Sequence, residues 1–207
     1  MEPLTITISR QLGSGGAYIG QKLSKVLNIQ YADREIIGKA ADSLSVLENE
    51  LEARDEKIRS FWESFIHFNA IASDMYLPPK KNLPTDLKLF KTETRIIREM
   101  AKNHSYVIVG RCGFHILGNY PNRVSIFLHA DAAFRESRVQ EMYNVPEETA
   151  KKMIVQNDKE RALYCKTFTG KDWTDATNYG LSLDTGKIGL DKTVEFIQTY
   201  LQQIELP

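Results

Sequence analysis

An excess of charge of either sign is missing from this sequence. Its 27 lysines and arginines are matched by 27 aspartates and glutamates, giving a formal net charge of zero. A uniformly basic surface, of the kind that gathers nucleic acid or an anionic membrane, is thereby excluded, and any anion must be bound by local placement of charge. Cysteine is scarce as well: Cys112 and Cys165 form no metal-type spacing and suggest no disulfide framework. No apolar run approaches the roughly 20 residues of a membrane-spanning helix. The opening MEPLTITI lacks the basic and apolar regions of a secretory signal. The expectation is a reduced, cytoplasmic protein with no membrane and no nucleic-acid partner.

What is present is informative in its order. A chain of 207 residues, 42% apolar and 26% charged, suits one soluble core carrying an excursion or lid. Short β-rich runs stand at LTITI (4–8), IQYA (29–32), YVIVG (106–110), VSIFL (124–128) and YGLSL (179–183). Between them lie helical patterns. The first, 17–27, has Ile19, Leu23, Val26 and Leu27 as its apolar face. Residues 44–76 are charged and helical in pattern and contain Phe61, Trp62, Phe65 and Phe68, which leave two readings open, local core or a subunit contact in a homo-oligomer. YLPPKKNLP (76–84) breaks that pattern as a linker or hinge. Helices follow over 92–102, over AAFRESRVQEMY behind the N-cap Asp131, from Pro146 to about Phe168, and over 191–203. Strands alternating with helices predict an α/β fold, a parallel sheet covered on both faces.

Lysine is absent where it would be most expected. ISRQLGSGGAYIG, residues 8–20, is a glycine-rich turn between the first strand and the first helix, where backbone N–H groups and a helix N-terminus can hold an anion. Fitted to the phosphate-loop pattern G-x-x-x-x-G-K-[ST] from the strand end, Arg10 takes the first glycine place, Gly15 the last, Gly16 the lysine and Ala17 the hydroxyl. Starting at Gly15 instead puts Gln21 in the lysine place and the loop far beyond the strand. A dinucleotide fingerprint fits less well, because Gly13 and Gly15 require glycine where Tyr18 stands, although Asp33 lies near the ribose-binding position. An NAD-dependent oxidoreductase is therefore a distant alternative, and a tight turn with no ligand is the plain one.

TISRQLGSGGAYIGQKLSKVLNIQYADREII at the N-terminus, VIVGRC (107–112), NDKERALYCKTFTGKDW (157–173) and NYGLSLDTGKIG (178–189) together resemble the cytidylate kinase-like proteins. The blocks follow the family's order and span nearly the whole chain. The resemblance implies a nucleoside monophosphate kinase fold of the P-loop superfamily, a three-layer parallel sheet flanked by helices. Core 1–33, 96–155 and 174–207 would carry a helical acceptor-binding excursion, 34–95, and a lid, 156–173. It implies transfer of the γ-phosphoryl group of ATP, with Mg²⁺, to a small phosphorylated acceptor, a nucleoside monophosphate of CMP-like type.

The same resemblance distributes the candidate residues; no protein ligand to a metal is assigned. Gly13, Ser14, Gly15, Gly16, Ala17 and Tyr18 would cradle the triphosphate, with Lys171 and Asp184 on the nucleotide side. Asp33, Arg34, Arg95, Gly110 and Arg111 fall to the acceptor. Arg10, Arg111, Lys159, Arg161 and Lys166 would spread positive charge over the transferring group, for which the planar guanidinium fork is suited. Lys159 and Lys166 share one helix face and Arg161 points elsewhere; a solvated face is the plain alternative. Asp33 and Asp184 could equally serve as helix caps, and Trp173 would pack under the lid. An arginine ending an apolar strand, as Arg111 does, needs an anion to meet.

Three positions depart from the pattern. The cytidylate kinase-like branch also lacks the loop lysine but commonly has a basic residue where Ala17 stands, and tends to have acids in place of Phe114 and Gly180. A nucleotide-binding protein on the same fold with little or no kinase activity is accordingly the second reading.

Overall fold

The structure, a computed structural model, describes residues 3–33, 37–38 and 87–204. The expectations for 44–76, for the hinge at 76–84, for the aromatics at 61–68 and for Arg34 lie outside the described residues.

Five parallel strands form one sheet in the order β2-β3-β1-β4-β5. They are β1 (Thr5–Arg10), β2 (Gln30–Asp33), β3 (Tyr106–Val109), β4 (Arg123–His129) and β5 (Leu181–Asp184). β1 runs between β3 and β4, with Ile8 level with Val109 on one side and Ile126 on the other. Such a strand has no solvated face, which is why YVIV reads as a continuous apolar run and why Thr5 and Thr7 of β1 are as fully buried as Ile6 and Ile8. The connection after β1 turns toward β2 and β3, and the later chain turns toward β4 and β5. The loop behind β1 therefore lies where the strand order reverses, the crevice in which open parallel sheets bind ligands.

Helices cover both faces. α1 (Gly16–Leu27) and the closing α7 (Leu190–Gln203) pack on one, where Ile19, Leu23, Val194 and Ile197 meet Ile6 and Val107. On the other, α2 (Leu87–Asn103) sets Ile96, Ile97 and Met100 against Tyr106 and Ile108. The expected apolar face of α1 needs one correction. Val26 is 51% exposed, because the face passes through Gly16 and Gly20 instead. A Cβ at Gly20 would meet Val109 at 2.8 Å and Tyr31 at 3.0 Å, so the missing side chain is what lets the helix lie directly on β2 and β3.

The remaining helices are the short α3 (Gly113–Ile116), α4 (Ala132–Tyr143), the long α5 (Glu147–Thr169) and the short α6 (Thr185–Ile188). Asp131 caps α4, accepting a hydrogen bond from Phe134 N at 2.8 Å. Pro146 precedes α5 as its N-cap residue, and Gly170 ends it at φ +70°. α4 and α5 pack on each other through Val139, Ala150 and Ile154, with Leu12 of the glycine loop beneath them. No helix of the described residues is long and apolar enough to cross a membrane.

Candidate functional site

The glycine loop is built by its neighbours as much as by its own residues. Gly13 and Gly15 sit at φ +84° and +80°, in the left-handed region that a side chain disfavours. Space forbids a side chain there too. A Cβ on Gly13 would lie 2.7 Å from the Arg135 carbonyl oxygen, and one on Gly15 would lie 2.5 Å from Leu190. Ser14 is fully buried; its hydroxyl is shared between the Gln11 carbonyl at 2.9 Å and the Leu128 carbonyl at 3.2 Å, and its own carbonyl accepts from Thr185 Oγ1 at 2.9 Å. Its hydroxyl is thus spent on holding the loop. Gly15 opens α1 without a capping side chain. The first amides of α1, at Gly16, Ala17 and Tyr18, are thereby left for whatever sits at the positive end of the helix dipole.

Three arginines and one aspartate brace the outer side of this loop. Asp158 on α5 accepts from Leu12 N at 3.0 Å and from Arg135 Nη1 at 2.5 Å. Arg135 also reaches the Leu12 carbonyl, and Arg138 Nε donates to the Gly13 carbonyl at 3.1 Å. Arg161 Nη1 donates to the Arg10 carbonyl at 2.8 Å. A protein with no net charge so concentrates cations at one turn. Arg161 was anticipated; Arg135, Arg138 and Asp158 were not, since FRESR reads only as an ordinary helix opening.

Arg10, the last residue of β1, sends its side chain toward the neighbouring turn. Its Cγ lies 2.5 Å from where a Cβ of Gly16 would be, and its guanidinium would collide with a Cβ on Gly110.

That second turn, Gly110–Cys112, leaves β3 at the same edge of the sheet. Gly110, Arg111 and Cys112 hold φ at +89°, +52° and +53°, a strained course for the two residues that carry a Cβ. Arg111 meets its anion within the protein: Nη2 lies 2.6 Å from Glu93 Oε1, the side chains being 14% and 1% exposed. Tyr164 of α5 completes the unit. Its hydroxyl donates to Glu93 Oε2 at 2.8 Å, and its ring lies under the Arg111 guanidinium at 5.2 Å. Burial pushes the Tyr164 phenol above its ordinary range, so it remains a donor. Glu93 is a site residue that the sequence did not reveal.

Behind this turn the two cysteines meet. Cys112 and Cys165 are both buried and belong to one cluster. Their interaction moves Cys165 below the usual thiol value and Cys112 above it. Phe114, Phe127 and Trp173 enclose them, Trp173 edge-on to Phe127 at 5.6 Å. Lys171 lies over Phe114 at 5.9 Å, a packing role for the ring where an acid tends to stand. At Gly180 the backbone N–H donates to the Ser125 carbonyl at 2.9 Å.

The other expected residues are spread more widely. Asp33 is buried at the end of β2 and accepts from the Tyr31 hydroxyl at 3.1 Å. Asp184 caps α6 through Gly186 N and Lys187 N. Lys159 is exposed, and Lys166 donates to the Gly170 carbonyl at the end of α5. Arg95 is exposed on α2, on a different face from Glu93, beside a groove of about 380 Å³ shared with Phe90, Lys91 and Arg98. The glycine loop, Arg10, Gly110, Arg111 and Arg161 are brought to one edge; Arg95, Lys159 and Lys166 are not.

Known proteins carry the same frame. The family model described as the cytidylate kinase-like family matches residues 5–187. A cytidylate kinase of Methanosarcina acetivorans is 26% identical over 207 residues, covering 99% of each chain. Among solved structures, an uncharacterized protein from Eubacterium ventriosum superposes with a TM-score of 0.73 at 25% identity, over 97% of this chain and 99% of that one. A shikimate kinase from Acinetobacter baumannii shares the fold at a TM-score of 0.50 and 12% identity, over 98% and 96% of the two chains.

Proposed function

As the chain belongs to the cytidylate kinase-like family, we propose that it transfers the γ-phosphoryl group of ATP to a nucleoside monophosphate of CMP-like type. The observation that carries this reading is the pairing of two turns at one edge of the sheet. One is a glycine loop braced by arginines; the other presents the buried Arg111.

Phosphoryl transfer asks a protein chiefly to hold two phosphates in line and to spread positive charge over the group that moves. The amides of residues 13–18 and the dipole of α1 would take the triphosphate. Arg161, from α5, adds charge at the loop, and Lys171 and Asp184 would serve the nucleotide side. Arg111 would take the acceptor phosphate, with Asp33 and Gly110 at the same edge. Glu93 and Tyr164 hold the Arg111 guanidinium flat and oriented before any ligand arrives, which limits the ordering cost on binding. In the transfer, an acceptor phosphate oxygen forms a bond to the γ-phosphorus while the bond to the β–γ bridging oxygen breaks, leaving two nucleoside diphosphates.

The described residues give Mg²⁺ no ligand set of their own. Ala17 stands at the hydroxyl place, Ser14 is committed to the loop, and no cluster of acidic, histidine or cysteine ligands occurs among the described residues. A magnesium ion would enter with the triphosphate and neutralise part of its charge.

Ala17 and Gly16 favour a second reading, a nucleotide-binding protein with little transfer. A panel of nucleoside monophosphates with ATP and Mg²⁺, assayed for diphosphate products, separates the two. Product that Arg111→Ala abolishes supports the kinase. Triphosphate binding with no product from any acceptor supports the second reading.

A further inference from the structure

Gly16 and Gly110 share a neighbour. A Cβ at Gly16 would meet Arg10 Cγ at 2.5 Å, Cβ at 2.9 Å and Cδ at 3.3 Å, and a Cβ at Gly110 would strike Nη1 of the same side chain. The arginine therefore leaves the end of β1, crosses the loop over Gly16, and delivers its guanidinium to the turn that bears Arg111. At Gly16 any side chain would displace the root of the arginine, whereas at Gly110 it would displace the guanidinium tip, at a backbone φ of +89° that favours glycine in any case. Phosphate loops of this register carry at position 16 a lysine whose ammonium reaches the β- and γ-phosphates.

We infer that Arg10 supplies this missing cation, the loop's positive charge having moved in sequence from its last position to its first. The reach is equivalent. From the point where the two paths meet, Arg10 has Cδ, Nε, Cζ and Nη still to run; a lysine at 16 would have Cγ, Cδ, Cε and Nζ. The root is fixed as well, since the Arg10 carbonyl is held by Arg161 at 2.8 Å. The ligand is the terminal phosphates of a nucleoside triphosphate, which the guanidinium grips through two oxygens where an ammonium would meet them as a point charge. Lying between the glycine loop and the Arg111 turn, it is suited to follow the phosphoryl group as it moves. Gly16 and Gly110 are, on this account, the clearance that the arginine requires.

The inference rests on the phosphoryl-transfer reading, so the test has two readouts: product formation from ATP and CMP, and equilibrium binding of a non-hydrolysable ATP analogue. Arg10→Ala should lower turnover about a hundredfold and weaken the analogue at least tenfold. Gly16→Lys alone should do the same, because two side chains then compete for one path. Arg10→Gly combined with Gly16→Lys should regain tenfold or more over Arg10→Ala in both readouts. Should that double variant not melt cooperatively, a second pair decides. Gly16→Ala should be harmful alone, yet harmless once added to Arg10→Gly, which removes the Cβ at 2.9 Å as well as the Cγ at 2.5 Å. Wild-type turnover retained in Arg10→Ala overturns the inference and leaves the kinase reading standing. Analogue binding without transfer to any acceptor overturns the kinase reading. The inference is then judged by the analogue alone, supported by loss in Arg10→Ala and recovery in the swap, and overturned by their absence.

Discussion

Arg111 and Glu93 form a buried ion pair, 2.6 Å between Nη2 and Oε1, that joins the turn after β3 to helix α2. Removing one member strands the other. Glu93→Ala is expected to cost about 3 kcal/mol of stability, as for other buried pairs broken on one side. Arg111→Met in the same protein should return a large part of that loss. Urea unfolding of the two variants checks both.

Asp158 holds the glycine loop from outside, through Leu12 N at 3.0 Å and Arg135 at 2.5 Å. Asp158→Ala leaves an amide and a guanidinium without their acceptor, and about 2 kcal/mol should be lost. Hydrogen exchange should show the amides of residues 11–15 opening more readily, with the strands of the sheet little changed.

Two glycines at positive φ separate strain from collision. Gly170 has open space around it, so Gly170→Ala should cost roughly 1 kcal/mol for the left-handed backbone alone. Gly13→Ala adds overlap with the Arg135 backbone and should cost about 2 kcal/mol more. Thermal unfolding of the pair gives the difference.

The thiols should titrate apart. Cys165 ionises below the ordinary thiol value because Cys112 and Thr169 stabilise its thiolate, whereas Cys112 ionises above. Thiolate absorbance should therefore rise first from Cys165. Cys165→Ser should abolish the early step, and Cys112→Ser should move it upward. A depressed value means that stability rises with pH across the interval between the shifted and ordinary values. That slope should vanish in Cys165→Ser.

The sheet was legible because its strands are short apolar runs set between amphipathic patterns. The sequence placed each within two residues of its observed limits, and AAFRESRVQEMY coincides with α4. Local rules served least well where a glycine replaced a side chain: Val26 looked like core until Gly20 brought α1 down onto the sheet. The glycine loop and Arg111 were legible from spacing and family resemblance. Glu93, Arg135, Arg138 and Asp158 were not, because their partners lie far away in sequence and no local pattern marks a helix residue that faces a distant turn. The resemblance located the missing lysine at Gly16, but only the folded chain brings Arg10 across it.

ATP labelled on its γ-phosphorus, mixed with the protein, Mg²⁺ and CMP, tests the central claim most directly. The account predicts that the label moves to the β-phosphate of CDP, and that Arg111→Ala stops it. Label found only in unchanged ATP, or only in inorganic phosphate, with CMP and every other nucleoside monophosphate would contradict it.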